Sequence, residues 1–501
     1  MVIPARQDAR SIGRNVAYAA MTWILPVLLS IIATPVIVRT LGIETYGIYA
    51  LVLGLISYSF SFGIGRAATK YVAEYRATGE SGKIRSVISA TLLLSVLIGL
   101  GGLLTLSALA SWLVTDVLLI GAASQADAIK AIYITGAIIL VSTVNQVYGG
   151  VLQGLHRFDL YSKIFNASSI ALLSGNLLLA YLGFGLHALL LWNLVTLSAT
   201  MIGFALAARR TLPETTFDPT GGREALPIVF RYSLGIVGYQ ILANALLLFE
   251  RGWVTRKLGA DSLAYYAVAM SIGVYIHGFA SSLMLTIAPL ASETQDDKER
   301  LLSLYKRTTK LIAAIVLLLG TIVAFGHNAF LTLWLGPDFA EKAGILLVIH
   351  VATFCINAIL GVSWLMREGL GVPKHNVYIF AFCFVITIAL MLMLAESYGL
   401  VGIAAARFIG FTAIFLSAFQ FERWLFGKAQ GTFWFRGIFT FAIAVLAAGS
   451  LELFIINNMA LGWLSFGVAA MAGTTVFGAV LWLMGFISSD EKLMIRRVLG
   501  K

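Results

Sequence analysis

The chain is organised by long apolar runs that alternate with short polar or basic segments. Fourteen of these runs approach the roughly 20 residues that an α-helix needs to cross about 30 Å of hydrocarbon. We therefore predict an all-α polytopic membrane protein with fourteen transmembrane helices. The predicted spans are residues 16–38, 46–66, 87–109, 129–151, 164–182, 186–208, 232–255, 263–287, 311–333, 343–366, 377–395, 400–421, 438–456 and 463–487.

The second part of the chain repeats the first at a constant offset of 217 residues. The segment RTLGIET, which starts at Arg39, pairs with RKLGADS, which starts at Arg256, and Gly185 pairs with Gly402 by the same shift. Internal repeats of this size are typical of transporters that expose a central site alternately to the two sides of a membrane. We predict two pseudo-symmetric six-helix lobes around a central cavity, with two helices added at the end. The predicted division is 1–217 for the amino-terminal lobe, 218–436 for the carboxy-terminal lobe, and 437–501 for the last two helices and a cytoplasmic tail.

Composition excludes several classes of protein. The 501 residues are 59% hydrophobic and only 12% charged, whereas soluble domains are about 45 to 50% apolar. The two cysteines, Cys355 and Cys383, lie in apolar runs, so neither a disulfide framework nor a Cys-based metal site is predicted. No nucleotide-binding loop, HExxH or GxSxG motif occurs in the sequence. We therefore predict a protein that is not an enzyme and needs no metal or cofactor.

The net charge of +11 reflects orientation in the membrane and does not indicate a nucleic-acid partner. With the amino terminus in the cytoplasm, 27 of the 35 Lys and Arg residues fall inside, five fall outside and three lie within spans. Positive charge concentrates in cytoplasmic loops. We predict a multi-pass protein of the bacterial inner membrane with both termini in the cytoplasm. No outer loop is long enough to form a folded domain, so function is expected between the helices.

Three arginines lie within the predicted spans: Arg66, Arg251 and Arg407. A charge at the centre of a span costs roughly 2.5 to 3.5 kcal/mol on insertion scales, and such residues usually face a bundle interior or a watery cavity. Arg66 is close enough to a cytoplasmic end to snorkel. At about 1.5 Å per residue, Arg251 lies about 7 Å and Arg407 about 12 Å from their outer ends. Both are candidate ligands of an anionic substrate, and Arg66 is a candidate substrate-binding residue at the inner entrance.

Other polar residues in the spans are weaker candidates, because interhelical packing explains them equally well. Glu250 is a candidate for proton or ion coupling, and we expect its side chain to diverge from Arg251 by about 100 degrees. At the outer ends of the first and seventh spans, Arg39 and Arg256 are candidates for a mouth that attracts an anionic head group. The remaining candidate substrate ligands are Gln240, Asn244, Asn145, His187 and His350.

Several short motifs, taken in order, carry a resemblance to a known family. They are RN at Arg14, LGIETYGIYA at Leu41, GIG at Gly63 followed by KYVAE at Lys70, LQGLHR at Leu152, and ER at Glu250. Together they resemble the polysaccharide transport proteins, the O-antigen and capsule flippases of the multidrug/oligosaccharidyl-lipid/polysaccharide (MOP) exporter superfamily. The family usually has Asp where this chain has Glu250.

This resemblance implies a flippase that translocates a polyprenyl-diphosphate-linked oligosaccharide from the cytoplasmic to the periplasmic leaflet by alternating access. It also implies contact with membrane lipids and, as a candidate partner, the polysaccharide polymerase machinery. The proton gradient and the membrane potential are both open as driving forces. A MATE-type multidrug exporter is the alternative, although the first two spans lack an acidic cation site, since Glu44 lies in their connecting turn. A flippase of another lipid-linked cell-wall precursor has the same sequence signature.

Overall fold

The protein is described by a computed structural model. It covers residues 9–58, 64–212, 222–284, 287, 290–291, 294–370, 372 and 374–486, without the side chains of 9–24, 57–58, 77 and 233–240. The described residues are largely helical and include no β-strand. Ten helices in this part of the chain are long and apolar enough to cross a membrane. The predicted all-α polytopic fold is confirmed, and the count of fourteen spans stays a prediction.

The helices are numbered α1 to α16 in chain order. They are α1 (Ala9–Leu41), α2 (Ile43–Tyr58), α3 (Ile64–Thr78), α4 (Ser81–Trp112), α5 (Ala122–Gly154), α6 (Phe158–Tyr181), α7 (Leu186–Thr211), α8 (Leu226–Leu258), α9 (Ala260–Leu283), α10 (Lys298–Phe325), α11 (His327–Leu335), α12 (Pro337–Gly369), α13 (Lys374–Thr412), α14 (Ile414–Phe426), α15 (Gly431–Asn458) and α16 (Trp463–Leu483).

The sequence repeat reappears in the positions of the helices. Helix α1 begins at Ala9 and α8 begins at Leu226, 217 residues further along, and α4 and α10 are offset by the same amount. Both α1 and α8 end at a Leu-Gly pair, where Gly42 has a φ of 79° and Gly259 a φ of 91°. Glycine adopts this left-handed conformation without the steric cost that a Cβ brings. The repeat therefore conserves the local chemistry of the turn as well as the spacing of the helices.

Two compact units make up the chain, Met1–Ala267 and Val268–Lys501. The first contains α1 to α8 and the start of α9, and the second contains the rest of α9 and α10 to α16. Large apolar side chains are exposed on the units, among them Leu104, Met393 and Leu464. Such surfaces suit helices that face lipid. The predicted boundaries of the lobes stay a prediction.

Small residues bring helices close together within the first unit. A Cβ added at Gly150 of α5 would collide with the backbone carbonyl of Gly65 of α3. The Thr69 hydroxyl completes this crossing by donating to the Gly150 carbonyl at 3.1 Å. Close packing of this kind stabilises helix pairs in lipid, where the hydrophobic effect contributes little to helix association. It fixes α3 against α5, which both carry predicted site residues.

The second unit uses similar close contacts. The Cys355 thiol of α12 donates to the Val316 carbonyl of α10 at 3.2 Å, and Gly320 of α10 leaves room for its sulfur. Cys355 and Cys383 are both buried free thiols. Helix α13 is interrupted at Gly399, which has a φ of 54°, so the predicted spans 377–395 and 400–421 lie on either side of the break. The contact between Cys355 and α10 positions α12, which holds His350, and Arg407 lies in α13 after the break at Gly399.

Candidate functional site

Arg251 of α8 is packed against α2 in the first unit. Its Nη1 donates a hydrogen bond to the Ala50 carbonyl. Gly54, one turn after Ala50, accommodates the rest of the side chain, because a Cβ at this position would lie 2.7 Å from Arg251 Cδ. The half-buried guanidinium is therefore held on the backbone of α2. The acceptor in this hydrogen bond is a neutral backbone carbonyl.

Glu250 points to a different helix from Arg251, as expected for adjacent residues of a helix. Its fully buried carboxylate accepts a hydrogen bond from the Tyr266 hydroxyl, near the start of α9. These two adjacent charged side chains of α8 thus reach different helices. Glu250 links α8 to α9, whereas Arg251 links α8 to α2.

Two further candidate substrate ligands lie on α8. Asn244 is half-buried, two turns before Arg251. The side chain of Gln240 lies outside the described residues. The roles of both residues as substrate ligands stay predictions.

Asn145 and Arg66 lie on two segments that the fold brings together. Gly65, the residue before Arg66, is packed so tightly on α5 that a Cβ would lie 2.7 Å from the Gln146 carbonyl. Asn145, the residue before Gln146, has a buried Oδ1 with no hydrogen-bond partner in the part of the chain that the structure describes. The Arg66 side chain is exposed. Sequence positions about 80 residues apart thereby meet at the crossing of α3 and α5.

A basic and aromatic cluster beside Arg66 was not predicted. The Lys70 ammonium lies 4.5 Å from the ring centre of Tyr71 and 4.6 Å from that of Tyr232 on α8. The two rings meet edge to face at 5.4 Å. A cation above an aromatic face is stabilised by the ring quadrupole. The KYVAE motif, which begins at Lys70, contributed to the family resemblance but did not predict this contact.

The other end of the first unit holds the candidates for an outer mouth. Arg256 donates to the carbonyls of Asp116 at 2.7 Å and Val117 at 2.8 Å, in the helical turn that follows α4. A cation is favourable at this position, because the last carbonyls of a helix carry partial negative charge. Arg39 is exposed. The role of both arginines in a mouth stays a prediction.

His187 lies apart from the other candidate ligands, in the first turn of α7. Its Nε2 lies 3.1 Å from the Asp127 carbonyl and 3.8 Å from a carboxylate oxygen of the same residue, at the start of α5. The imidazole is partly exposed. These contacts near the end of a helix account for the placement of His187. Its predicted role as a substrate ligand stays a prediction.

The second unit brings together Arg407 and His350. Arg407 on α13 is only 7% exposed, and its guanidinium lies between two rings, 5.6 Å from the centre of Phe354 and 5.0 Å from that of Phe411. His350 on α12, one turn before Phe354, is fully buried and within electrostatic range of Arg407. His277 meets the other side of this cluster, with its ring 5.9 Å from Phe354. The result is a buried cationic and aromatic group inside apolar helices.

Two buried glutamates of the second unit were not among the residues predicted from the sequence. Glu422 of α14 accepts hydrogen bonds from the Tyr305 hydroxyl, the Gln430 backbone and the Trp434 indole at 2.9, 2.7 and 2.6 Å. Glu452 of α15 is 1% exposed. The signal for Glu452 was its position inside the predicted span 438–456, where an acidic residue is as costly as a basic one. No group of His, Cys, Asp and Glu able to hold a metal ion occurs among the described residues.

Comparison with known proteins identifies a family and a relative of this chain. Residues 36–343 match the family model described as "Polysaccharide biosynthesis protein". A relative from Shigella flexneri, named "Putative O-antigen transporter", is 22% identical over 414 residues, which cover 79% of this chain and 93% of the relative. The family match spans more than half of the chain.

Solved structures share the fold. The lipid II flippase MurJ superposes with a TM-score of 0.73 at 11% identity, over 98% of this chain and 100% of MurJ. A multidrug resistance MATE family transporter of the MOP superfamily superposes with a TM-score of 0.68 at 17% identity, over 82% of this chain and 98% of the transporter. At these identities, the likeness shows a common fold.

Proposed function

The chain belongs to the family of polysaccharide biosynthesis proteins, and on this premise we propose that it is a flippase for a polyprenyl-diphosphate-linked oligosaccharide. The proposed cargo is a repeat unit of O-antigen, capsule or exopolysaccharide, moved from the cytoplasmic to the periplasmic leaflet by alternating access. Similarity to the O-antigen transporter of Shigella flexneri over most of both chains supports this cargo class. We propose a role in transport and not in catalysis.

The observation that carries the proposal is the burial of Arg407 between Phe354 and Phe411, within helices apolar enough to span a membrane. An intramembrane charge of this kind is costly and usually serves a function. A diphosphate that crosses lipid needs cationic partners, and arginine binds phosphate through a planar fork of N–H donors. Stacking engages the faces of the guanidinium, whereas phosphate binds at its edge. The two interactions are therefore compatible.

The first unit supplies the other proposed ligands. Arg251, held on the Ala50 carbonyl, is proposed as a second ligand of the head group. We assign Arg66, the exposed arginine of α3, to the cytoplasmic entrance. Hydrogen bonds to sugar hydroxyls are assigned to three amide side chains: Gln240, Asn244 and Asn145. The orphan Oδ1 of Asn145 supports its inclusion, because buried acceptors normally have partners.

The proposed location of the protein is the bacterial inner membrane, with both termini in the cytoplasm. The concentration of Lys and Arg in the predicted cytoplasmic loops supports this orientation. A polymerase that joins the delivered repeat units is the proposed functional partner. The membrane potential contributes about 2.3 kcal/mol per charge per 100 mV, and proton exchange at Glu250 is the other candidate for energy coupling.

Analysis of lipid-linked glycans in a deletion strain tests the proposed function. We expect polyprenyl-diphosphate-linked oligosaccharide to accumulate in the cytoplasmic leaflet and surface polysaccharide to disappear. The intact gene should restore both, and a gene that encodes Arg407→Ala should not, although its product reaches the membrane. Unchanged glycolipids with hypersensitivity to cationic drugs would instead identify a multidrug exporter. Accumulation of a peptidoglycan or teichoic-acid precursor would identify a flippase with a different cargo.

A further inference from the structure

Three glutamates are fully buried among the described residues, and one of them differs from the others. Glu250 accepts a hydrogen bond from Tyr266, and Glu422 accepts hydrogen bonds from three donors. Glu452 of α15 is 1% exposed, and its Oε1 has no hydrogen-bond partner in the described part of the chain. A buried carboxyl oxygen of this kind is rare, because buried polar groups are normally satisfied.

The Glu452 carboxyl is packed against α16. A Cβ added at Gly473 would overlap the Glu452 side chain and Oε1. The carboxyl thus occupies the space that a larger residue at position 473 would fill. Glu452 lies six residues before the end of α15 at Asn458, which corresponds to about 9 Å along the helix. In the predicted topology, this is the periplasmic side of the membrane.

Cations are absent from the surroundings of Glu452 in the described residues. Helix α16 has no titratable residue. Helix α11, which also contacts α16, contributes His327, but this ring bonds to the Ala324 carbonyl at 2.7 Å and packs on Gly344 of α12. The charged residues of α10 lie in its first half, whereas its end, at Phe325, packs on Gly449, one turn before Glu452. The other charged residue of α15 is Arg436, about 24 Å away along the helix.

The physical consequence concerns the charge of Glu452. An ionised carboxylate without water, hydrogen bonds or a counter-cation is strongly unfavourable in a medium of low dielectric constant. The neutral acid is much cheaper to bury. The carboxyl is therefore stable in the α15–α16 contact when it carries a proton. Loss of that proton requires contact with water, which in turn requires α15 and α16 to separate near Glu452 and Gly473.

We propose that Glu452 is a proton-binding site of the transport cycle, through which a proton gradient acts on the α15–α16 contact; its role in transport rests on the proposed function. The carboxylate takes up one proton when the contact closes and releases the same proton to water when the contact opens. Because binding and conformation are linked reciprocally, the state that hydrates Glu452 loses its proton, and low pH favours the closed contact.

The proton site is tested first by chemical labelling, which does not depend on substrate. Dicyclohexylcarbodiimide enters lipid and reacts with protonated carboxyls: the O–H adds across one C=N bond, and the adduct retains the whole reagent. We expect a labelled peptide that contains Glu452 in full-length protein in liposomes, with labelling that falls as the pH is raised. Glu422, satisfied by three donors, serves as the internal control and should stay unlabelled. Glu452→Gln should abolish the adduct.

Coupling is tested by flipping of undecaprenyl-diphosphate-linked oligosaccharide in proteoliposomes, with and without an imposed proton gradient. We expect the gradient to stimulate flipping by the unchanged protein and to give no stimulation in Glu452→Gln. Absence of the Glu452 adduct would overturn the proton site, whatever the flipping data show. Labelling together with undiminished stimulation in Glu452→Gln would overturn its role in coupling. Labelling in a protein that does not flip the lipid would retain the proton site and reject the proposed function.

Discussion

The guanidinium carbon of Arg407 lies 5.0 Å from the ring centre of Phe411, one turn further along the same helix. Residues four positions apart lie on the same face of a helix, so α13 itself supplies one of the two stacking partners. Phe354 of α12 supplies the other at 5.6 Å. The arginine is thus oriented by the two rings. This arrangement places the guanidinium between two aromatic rings from neighbouring helices.

We predict that Arg407→Ala lowers the initial rate of flipping by about tenfold or more, because hydrogen bonds to a charged group contribute roughly 1.5 to 3 kcal/mol. Arg407→Lys should retain an intermediate rate, since lysine keeps the charge and lacks the planar fork. Arg423→Ala is the matched control, because Arg423 stacks on Phe419 at 4.9 Å but is exposed. The rate is measured in proteoliposomes with equal amounts of inserted protein. Equal losses in the Arg407 and Arg423 variants would argue against a specific site.

The contact between Gly54 and Arg251 leads to a prediction about stability. A Cβ at Gly54 would lie 2.7 Å from Arg251 Cδ and 3.0 Å from its Nη1. We expect Gly54→Ala to lower the free energy of unfolding by about 1 to 3 kcal/mol, the usual cost of overpacking. The apparent Tm in detergent is the measurement. Gly101→Ala on α4 is the control, because nothing lies within 4 Å of a Cβ at that position, and it should leave the Tm unchanged or raised.

The double variant Gly54→Ala with Arg251→Ala tests the same contact. We expect it to recover part of the Tm that is lost in Gly54→Ala alone. In this variant the added methyl group no longer meets the arginine side chain. Additive losses would contradict the contact, since residues in contact show coupling energies while independent sites add.

The hydrogen bond between Tyr266 and Glu250 carries a separate prediction. Tyr266→Phe removes the donor and leaves a fully buried carboxylate with one partner fewer. We expect a loss of about 1 to 3 kcal/mol in the free energy of unfolding. Tyr133→Phe, at a tyrosine that is 45% exposed, provides the control and should change little. Thermal unfolding of both variants, monitored by tryptophan fluorescence, measures the difference. A similar Tm for the two variants would remove the hydrogen bond from the interactions that stabilise the first unit.

The fold was predictable from the sequence because a bilayer restricts the structures that cross it. A spanning segment must satisfy its backbone internally, so an apolar run of sufficient length is a helix. The Leu-Gly pairs at Gly42 and Gly259 likewise revealed the turns, since their positive φ values require glycine. The internal repeat added the correspondence between α1 and α8. Composition and spacing therefore contained most of the architecture.

The partners of the buried charges were not predictable in the same way. Arg251 bonds to a backbone carbonyl, that of Ala50, and any residue type offers the same acceptor. The contact of Glu452 depends on Gly473, which has no side chain to signal it. Sequence reasoning identified Arg251 as a costly charge, but it contained no distance between helices. The partner of a buried charge depends on how the helices pack, and that packing is determined by all residues of the chain together.

The direction of the chain through the membrane is testable at the two ends of α4. The predicted topology places Ser81 in the cytoplasm and Ala123, beyond the far end of α4, in the periplasm; both are exposed. Cys355 and Cys383 are buried, so background labelling should be low. In intact spheroplasts, we expect a membrane-impermeant maleimide to label Ala123→Cys and to label Ser81→Cys only after the membrane is permeabilised. Positive charge near Ser81, at Lys83 and Arg85, is the physical reason for this orientation. Labelling of Ser81→Cys in intact spheroplasts, with protection of Ala123→Cys, would invert the topology and with it the direction assigned to transport.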